Sequence, residues 1–196
     1  MSLTSSTPSR APGRLIPALL LVSVAVVTWS ASARTQDVLT PDSAAAVKAS
    51  FIADIEVMRD KFMGLAEAFP EDKYTWRPMD GVRSVSEVLM LIASEGYGFA
   101  PVALGGQPAM SREESGELSS ITDKAQVIDH LTKGFEYGLA QLESIDPATL
   151  TEPGELFGQK RSTPELVLFV AGDMHEHLGQ LIAYARTNHI VPPWSK

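Results

Sequence analysis

Two residues near the C-terminal end of the chain, Asp173 and His177, have the types and the spacing of metal ligands. They are four residues apart, so a helix would place them one turn apart on the same face. A carboxylate oxygen and an imidazole nitrogen in this arrangement can bind one divalent cation such as zinc, nickel or manganese. His175 would point to the opposite flank of the same helix, about 160° from His177. One helix therefore does not bring both histidines to the same ion.

Composition excludes several other kinds of chemistry. The chain has 196 residues and no cysteine, which rules out thiolate nucleophiles, zinc–cysteine sites and iron–sulfur clusters. A formal net charge of −8 argues against nucleic acid as a partner. The sequence contains neither a glycine-rich phosphate loop nor a G-x-S-x-G nucleophile motif. Any metal must therefore be held by histidine or carboxylate side chains.

The first 33 residues have the three-part pattern of a secretory signal peptide. Arg10 and Arg14 precede an apolar run at residues 15–27, and the small residues of 31–33 follow it. The alternative is a membrane anchor, but this run is shorter than the roughly 20 residues that a spanning helix needs. We predict cleavage after Ala33, export to the periplasm or beyond the cell, and no further membrane attachment. The remaining domain, residues 34–196, would have a net charge of −10, because the removed segment carries two arginines and no acidic residue.

The exported domain is predicted to be all-α, with four long amphipathic helices. Their expected limits are about 40–69, 84–98, 122–146 and 163–188, set by capping residues and prolines. Helical spacing of large apolar residues gives each helix one buried face, and strand-like alternation is absent. The residues expected in the core are Phe51, Ile55, Met58, Phe62, Leu65, Val85, Val88, Leu89, Ile92, Val127, Ile128, Leu131, Phe135, Leu139, Leu142, Val167, Met174, Leu178, Leu181 and Ala185. Helices with one apolar face each indicate a four-helix bundle.

The segment between the second and third helices, residues 100–121, is rich in glycine, proline, serine and glutamate. A stretch of this length without regular structure is either disordered or a functional loop, and we expect a mobile surface excursion. Its glutamates Glu113, Glu114 and Glu117 lack the spacing of calcium ligands. They are therefore interpreted as a solvated acidic run.

Several motifs together resemble the DinB-like proteins, and the likeness extends over nearly the whole exported domain. The motifs are YTWRP at 74–78, GVRSVSEV at 81–88, EHLGQ at 176–180, YAR at 184–186 and VPP at 191–193. The resemblance implies an up-down-down-up four-helix bundle and a metal-dependent hydrolase or thiol transferase. It also implies three histidine ligands, at positions that correspond here to Leu91, Asp173 and His177.

Only one of those three histidines is present in this chain. Leu91 cannot coordinate a metal, and Asp173 is a harder ligand than the histidine it replaces. We therefore predict a protein without a complete catalytic metal site and without a cofactor, in which Asp173 and His177 form a hydrogen-bonded pair. Such a protein would bind a small ligand or a partner protein.

Two alternatives remain open for the function. The first is a hydrolase or thiol transferase in which Asp173, His177 and water molecules hold a divalent ion. The second is a structural or oligomer-forming bundle, and the family resemblance makes a homodimer an expected assembly.

Aromatic residues and the other histidines give secondary candidates. Trp76 and Tyr97 could line a ligand pocket between helices, although aromatic residues at helix ends more often serve packing. His130 lies off the core face of the third helix and is expected at the surface. His189 occupies the position after the last helix where the family pattern has glycine, which predicts a left-handed backbone there.

Overall fold

The computed structural model describes residues 39–195 as a mostly helical unit, which confirms the main feature of the predicted fold. The predicted signal peptide, residues 1–33, lies outside the described residues. The α-helices are α1 Pro41–Ala68, α2 Val85–Ser94, α3 Ala100–Ala103, α4 Arg112–Glu117, α5 Lys124–Ser144 and α6 Thr163–Thr187. Short 3₁₀ turns span Glu71–Lys73, Leu118–Ser120, Pro147–Thr151 and Pro193–Ser195. Among the helices between residues 39 and 195, none combines the length and apolar content needed to cross a membrane.

The long helices begin where their capping residues predict. Thr40 caps α1 through its side chain, and Pro41 occupies the first turn. Helix α2 begins with a capping box, in which the Ser84 hydroxyl accepts from the Glu87 amide and the Glu87 carboxylate accepts from the Ser84 amide. Helix α1 ends at Ala68, and the backbone of the next residue, Phe69, is extended because a proline follows it. These ends depend on short-range chemistry, which the sequence displays directly.

The end of α2 differs from the prediction, which had the helix fade around residues 96–98. The backbone instead continues through a π-helical turn, Glu95–Phe99, into α3. Gly96 allows this turn to approach α5 closely, since a Cβ at Gly96 would lie 2.4 Å from the carbonyl oxygen of Gly134. Gly96, one of the two glycines that suggested a helix end, therefore serves helix packing.

The prediction of an irregular excursion at residues 100–121 is wrong in part. This segment contains α3, α4 and a 3₁₀ turn. Helix α4 begins with a second capping box, in which Ser111 and Glu114 exchange the same pair of hydrogen bonds. Glu114 is thus a capping residue as well as a member of an exposed acidic run.

A small hairpin between α5 and α6 was also not predicted. Strands β1 Gly154–Leu156 and β2 Gln159–Arg161 pair antiparallel, with Leu156 opposite Gln159. The two loop residues, Phe157 and Gly158, have φ angles of +52° and +75°. Two consecutive positive φ values are typical of the tight turns that join such strands. Strands of three residues are too short for an alternating pattern to reveal them.

The core lies between the four long helices. Helices α1 and α2 each pack against both α5 and α6. All of the predicted core residues contribute, and Ile128 and Val167 do so while only partly buried. The up-down-down-up order of a bundle stays a prediction.

Candidate functional site

Three potential metal ligands meet where the end of α2 faces the middle of α6. Glu95 begins the π-helical turn after α2, while Asp173 and His177 lie one turn apart on α6. One ligand atom from each lies within 4.8 Å of the other two, and these residues, which we call the ligand cluster, could hold a metal ion. The structure thus adds Glu95 to the pair that the sequence predicted.

Glu95 is the buried member of the ligand cluster. Only 5% of its surface is exposed. Its Oε2 atom has no hydrogen-bond partner within the described residues. Burial, together with the neighbouring Asp173, raises the pKa of Glu95 to about 9, although the charge of Arg83 acts in the opposite direction. Without a cation, the Glu95 carboxyl therefore carries a proton at neutral pH, and a bound cation would favour its charged form.

His177 is oriented by a chain of hydrogen bonds along α6. The Tyr184 hydroxyl donates to the Arg83 carbonyl oxygen, at 3.0 Å. Since that hydroxyl hydrogen is used, its oxygen accepts from the Gln180 amide nitrogen, at 2.7 Å. The Gln180 Oε1 then faces His177 Nδ1 at 3.0 Å, so Nδ1 is the donor. The lone pair of Nε2 is left available for a cation, an arrangement typical of metal-binding histidines.

The donor set of the ligand cluster fits a divalent metal ion. It offers two carboxylate oxygens and one imidazole nitrogen, which suit zinc, manganese and nickel. Three protein ligands leave coordination positions for water or substrate. A buried carboxylate oxygen without a partner, beside a second carboxylate, is costly unless a proton or a cation neutralises it.

The structure gives a different partner to His177 from the one predicted. We expected Asp173 to hold the imidazole in a hydrogen-bonded pair. Gln180 bonds Nδ1 instead, and among the described residues no hydrogen bond joins Asp173 to His177. Asp173 is one turn away on the helix, whereas Gln180 is three residues further on and within reach of the ring.

Leu91 occupies the wall of the site. It is half-buried and lines two cavities, a smaller one of about 610 Å³ and a larger one of about 750 Å³. Glu95 and Asp173 line the larger cavity as well. Glu95 follows Leu91 by four residues, and so supplies a carboxylate one helical turn beyond the position that the family resemblance assigns to a ligand.

A sequence signal for Glu95 existed and was missed. Glu95 is the only charged residue between positions 88 and 111. A lone carboxylate in an apolar helix is a functional candidate, because burying a charge needs compensation. Its neighbours Asp173 and His177 are about 80 residues away in the sequence, so only the tertiary packing of the end of α2 against α6 brings the three together.

The two aromatic pocket candidates each lie against another ring in the described structure. Trp76 contacts Tyr184 edge-on, with ring centroids 5.3 Å apart. Tyr97 is buried, and its ring lies edge-on to His130 at 6.3 Å. Neither is among the residues lining the two cavities beside Leu91. His130 is consequently half-buried against Tyr97, not at the free surface that we predicted.

The remaining histidines lie away from the ligand cluster. His175 Nε2 is 3.0 Å from Asp54 Oδ2, so its imidazole faces α1 at an exposed position. His189 has a φ of +59°, which confirms the left-handed backbone expected after the last helix.

Comparison with known proteins gives one family. The sequence model of the DinB superfamily matches residues 54–181, which include the whole ligand cluster. Among curated proteins, none matches the chain. The matched region covers well over half of the 196 residues and begins and ends within long helices of the fold. The chain belongs to the DinB superfamily.

Proposed function

We propose that this protein is a divalent-metal-dependent hydrolase whose ion is held by Glu95, Asp173 and His177. The observation that carries the proposal is the buried Glu95 carboxyl, whose Oε2 lacks a partner among the described residues and lies beside Asp173 and His177. A carboxylate in this position would repel Asp173 and destabilise the fold unless a cation or proton lay between them. This replaces our expectation of an incomplete site.

Each side chain has a distinct task in the proposed site. Glu95 and Asp173 supply the negative charge that attracts and neutralises a cation, and Glu95 gives up its proton when the cation binds. His177 supplies a neutral nitrogen, and Gln180 fixes the orientation of its ring. Leu91 supplies no ligand atom, and its apolar side chain lines both neighbouring cavities. When bound, a divalent ion would lower the pKa of a coordinated water or thiol and so supply a nucleophile near neutral pH.

The test compares adjacent histidines. Wild-type protein, His177→Ala and His175→Ala are stripped with a chelator, resupplied with zinc, nickel or manganese, and assayed with 1-naphthyl acetate and 1-naphthyl phosphate. We expect hydrolysis that needs metal in the wild type and in His175→Ala, and that is lost in His177→Ala. Turnover that appears only after a thiol is added would replace hydrolysis by thiol transfer. Absence of metal-dependent turnover, or full activity in His177→Ala, would overturn the proposal.

A second candidate function is ligand binding without metal. It is favoured by Leu91, which cannot coordinate an ion although the family resemblance assigns a ligand to its position, and by the two cavities that Leu91 lines. It differs from the first in one measurable respect, since a bound ligand would then not be hydrolysed, either with chelator or with added metal. A purely structural, oligomer-forming role would give neither ligand affinity nor metal dependence.

We also propose that the domain is exported and that it forms an up-down-down-up bundle. Export is supported by the signal-peptide pattern of residues 1–33, and the bundle by the packing of α1 and α2 against α5 and α6. Mass spectrometry of secreted material should find an N-terminus at Arg34. We expect a homodimer in solution, which sedimentation measurements would check.

A further inference from the structure

The two cavities beside Leu91 form one cleft with chemically different ends. They share four lining residues, Leu91, Ser94, Arg112 and Ser115, so the smaller and the larger cavity adjoin along the same wall. Glu95 and Asp173 line only the larger cavity. A ligand that filled both cavities would therefore pass beside the ligand cluster.

The smaller cavity is positively charged, although the protein as a whole carries −8. Arg77, Arg83 and Arg112 line it, with Glu87 as its one acidic lining residue. Glu87 pairs with Arg77 at 3.1 Å. Within residues 39–195, the guanidinium groups of Arg83 and Arg112 form neither an ion pair nor a hydrogen bond. Both arginines are exposed to solvent, and two guanidinium groups without a protein partner at one cavity favour an anionic group such as phosphate, sulfonate or carboxylate.

The larger cavity is bordered by three phenylalanine rings. Phe99, Phe157 and Phe169 lie with their ring centroids 5.9 to 6.1 Å apart. Phe157 is 76% exposed, and its φ of +52° is a conformation that a phenylalanine adopts only at a cost. Asparagine or glycine would suit this turn better. An exposed, strained aromatic residue that lines a cavity is explained if its ring contacts a ligand.

We infer that the cleft binds a small amphiphile whose anionic group lies against Arg83 and Arg112 and whose aromatic body lies against Phe99, Phe157 and Phe169. The cavities, of about 610 and 750 Å³, have the size of small-molecule sites. The inference rests on the proposed function in one respect, because the bound ligand would pass beside Glu95 and Asp173 of the proposed metal site. Binding itself needs no metal.

The test uses 1-naphthyl phosphate, which carries both groups, and compares it with 1-naphthol and inorganic phosphate, which carry one each. Affinities are measured by calorimetry in the presence of a chelator, so that failure of the metal site leaves the result unaffected. We expect 1-naphthyl phosphate to bind at least tenfold more tightly than either fragment. Equal affinities for 1-naphthyl phosphate and one of its fragments would overturn the inference.

Variants assign the two ends of the cleft. Phe157→Asn suits the tight turn and should therefore keep or raise the melting temperature. It should lower the affinity for 1-naphthyl phosphate by about three- to tenfold, the contribution of one aromatic contact. The double variant Arg83→Gln, Arg112→Gln should lower the affinity for 1-naphthyl phosphate by about tenfold or more and leave the affinity for 1-naphthol unchanged. The matched controls are Leu168→Ala, at an exposed apolar position, and Arg59→Gln, on α1. Neither control should change the affinity for 1-naphthyl phosphate or for 1-naphthol. Unchanged affinity in the Phe157 variant or in the double arginine variant would contradict the assignment.

Discussion

Replacing Glu95 with glutamine should remove most of the pH dependence of stability of the metal-free protein. The glutamine side chain has the size of a protonated glutamate and stays neutral at every pH. In the wild type, the buried carboxyl loses its proton as the pH rises, and the resulting charge lies beside Asp173 with no cation to offset it. The two proteins should therefore differ little at low pH and increasingly at high pH.

The size of the effect follows from the pKa of Glu95. Burial and the neighbouring Asp173 raise that pKa to about 9 in the folded protein, from an ordinary value of 4.5. Between these values the folded protein binds one proton more than the unfolded chain, so its free energy of unfolding falls as the pH rises. The slope is about 1.4 kcal/mol per pH unit, or about 3 kcal/mol between pH 6 and pH 8.

Urea denaturation of both proteins in chelator, at intervals from pH 6 to pH 8, measures this slope. The difference in unfolding free energy between wild type and Glu95→Gln should change by about 3 kcal/mol over that range. Glu176→Gln, at an exposed position on α6, is the matched control and should follow the wild type. Saturating zinc or manganese at pH 8 should restore the unfolding free energy of the wild type but should not raise that of Glu95→Gln. Parallel pH curves for wild type and Glu95→Gln would refute the reasoning.

Three further predictions test single contacts. Tyr184→Phe removes the hydroxyl that orients Gln180, so metal affinity should fall about tenfold in calorimetry while the fold is retained. Unchanged affinity would show that the hydrogen bonds from Tyr184 through Gln180 do not orient His177. His189→Gly relieves a left-handed backbone and should raise the unfolding free energy by about 1 kcal/mol in urea denaturation, whereas a loss would contradict the strain. Gly96→Ala places a Cβ against the Gly134 carbonyl and should cost about 3 kcal/mol or more in the same assay, while a neutral effect would mean that α2 and α5 can separate freely.

Local chemistry made much of the fold predictable. The capping box of Ser84 and Glu87 and the apolar stripe of α1 are short-range patterns, and both occur as predicted. The capping box at Ser111 has the same spacing as the one at Ser84, and α4 was overlooked because the surrounding composition indicated a loop. The hairpin offered no usable signal, since three-residue strands show no periodicity.

The candidate site was predictable only in part, because its members come from two helices. The i, i+4 spacing of Asp173 and His177 was visible, and it indicated a shared face of α6. Predicting that Glu95 joins this pair would have required knowing which helical turn at the end of α2 lies opposite that face of α6. The family resemblance pointed to Leu91, one helical turn earlier, and so directed attention away from the carboxylate that completes the ligand cluster.

The most direct test of the metal site is the metal content of the purified protein. Protein without an affinity tag is saturated with zinc or manganese, freed of excess ion by gel filtration, and measured by elemental mass spectrometry. We predict one ion per chain in the wild type and in His175→Ala, and much less than one in His177→Ala and Glu95→Gln. Loss of metal in His177→Ala alone would reduce the site to Asp173 and His177. Wild-type protein that retains no ion, or a Glu95→Gln variant that retains a full one, would contradict the three-residue site.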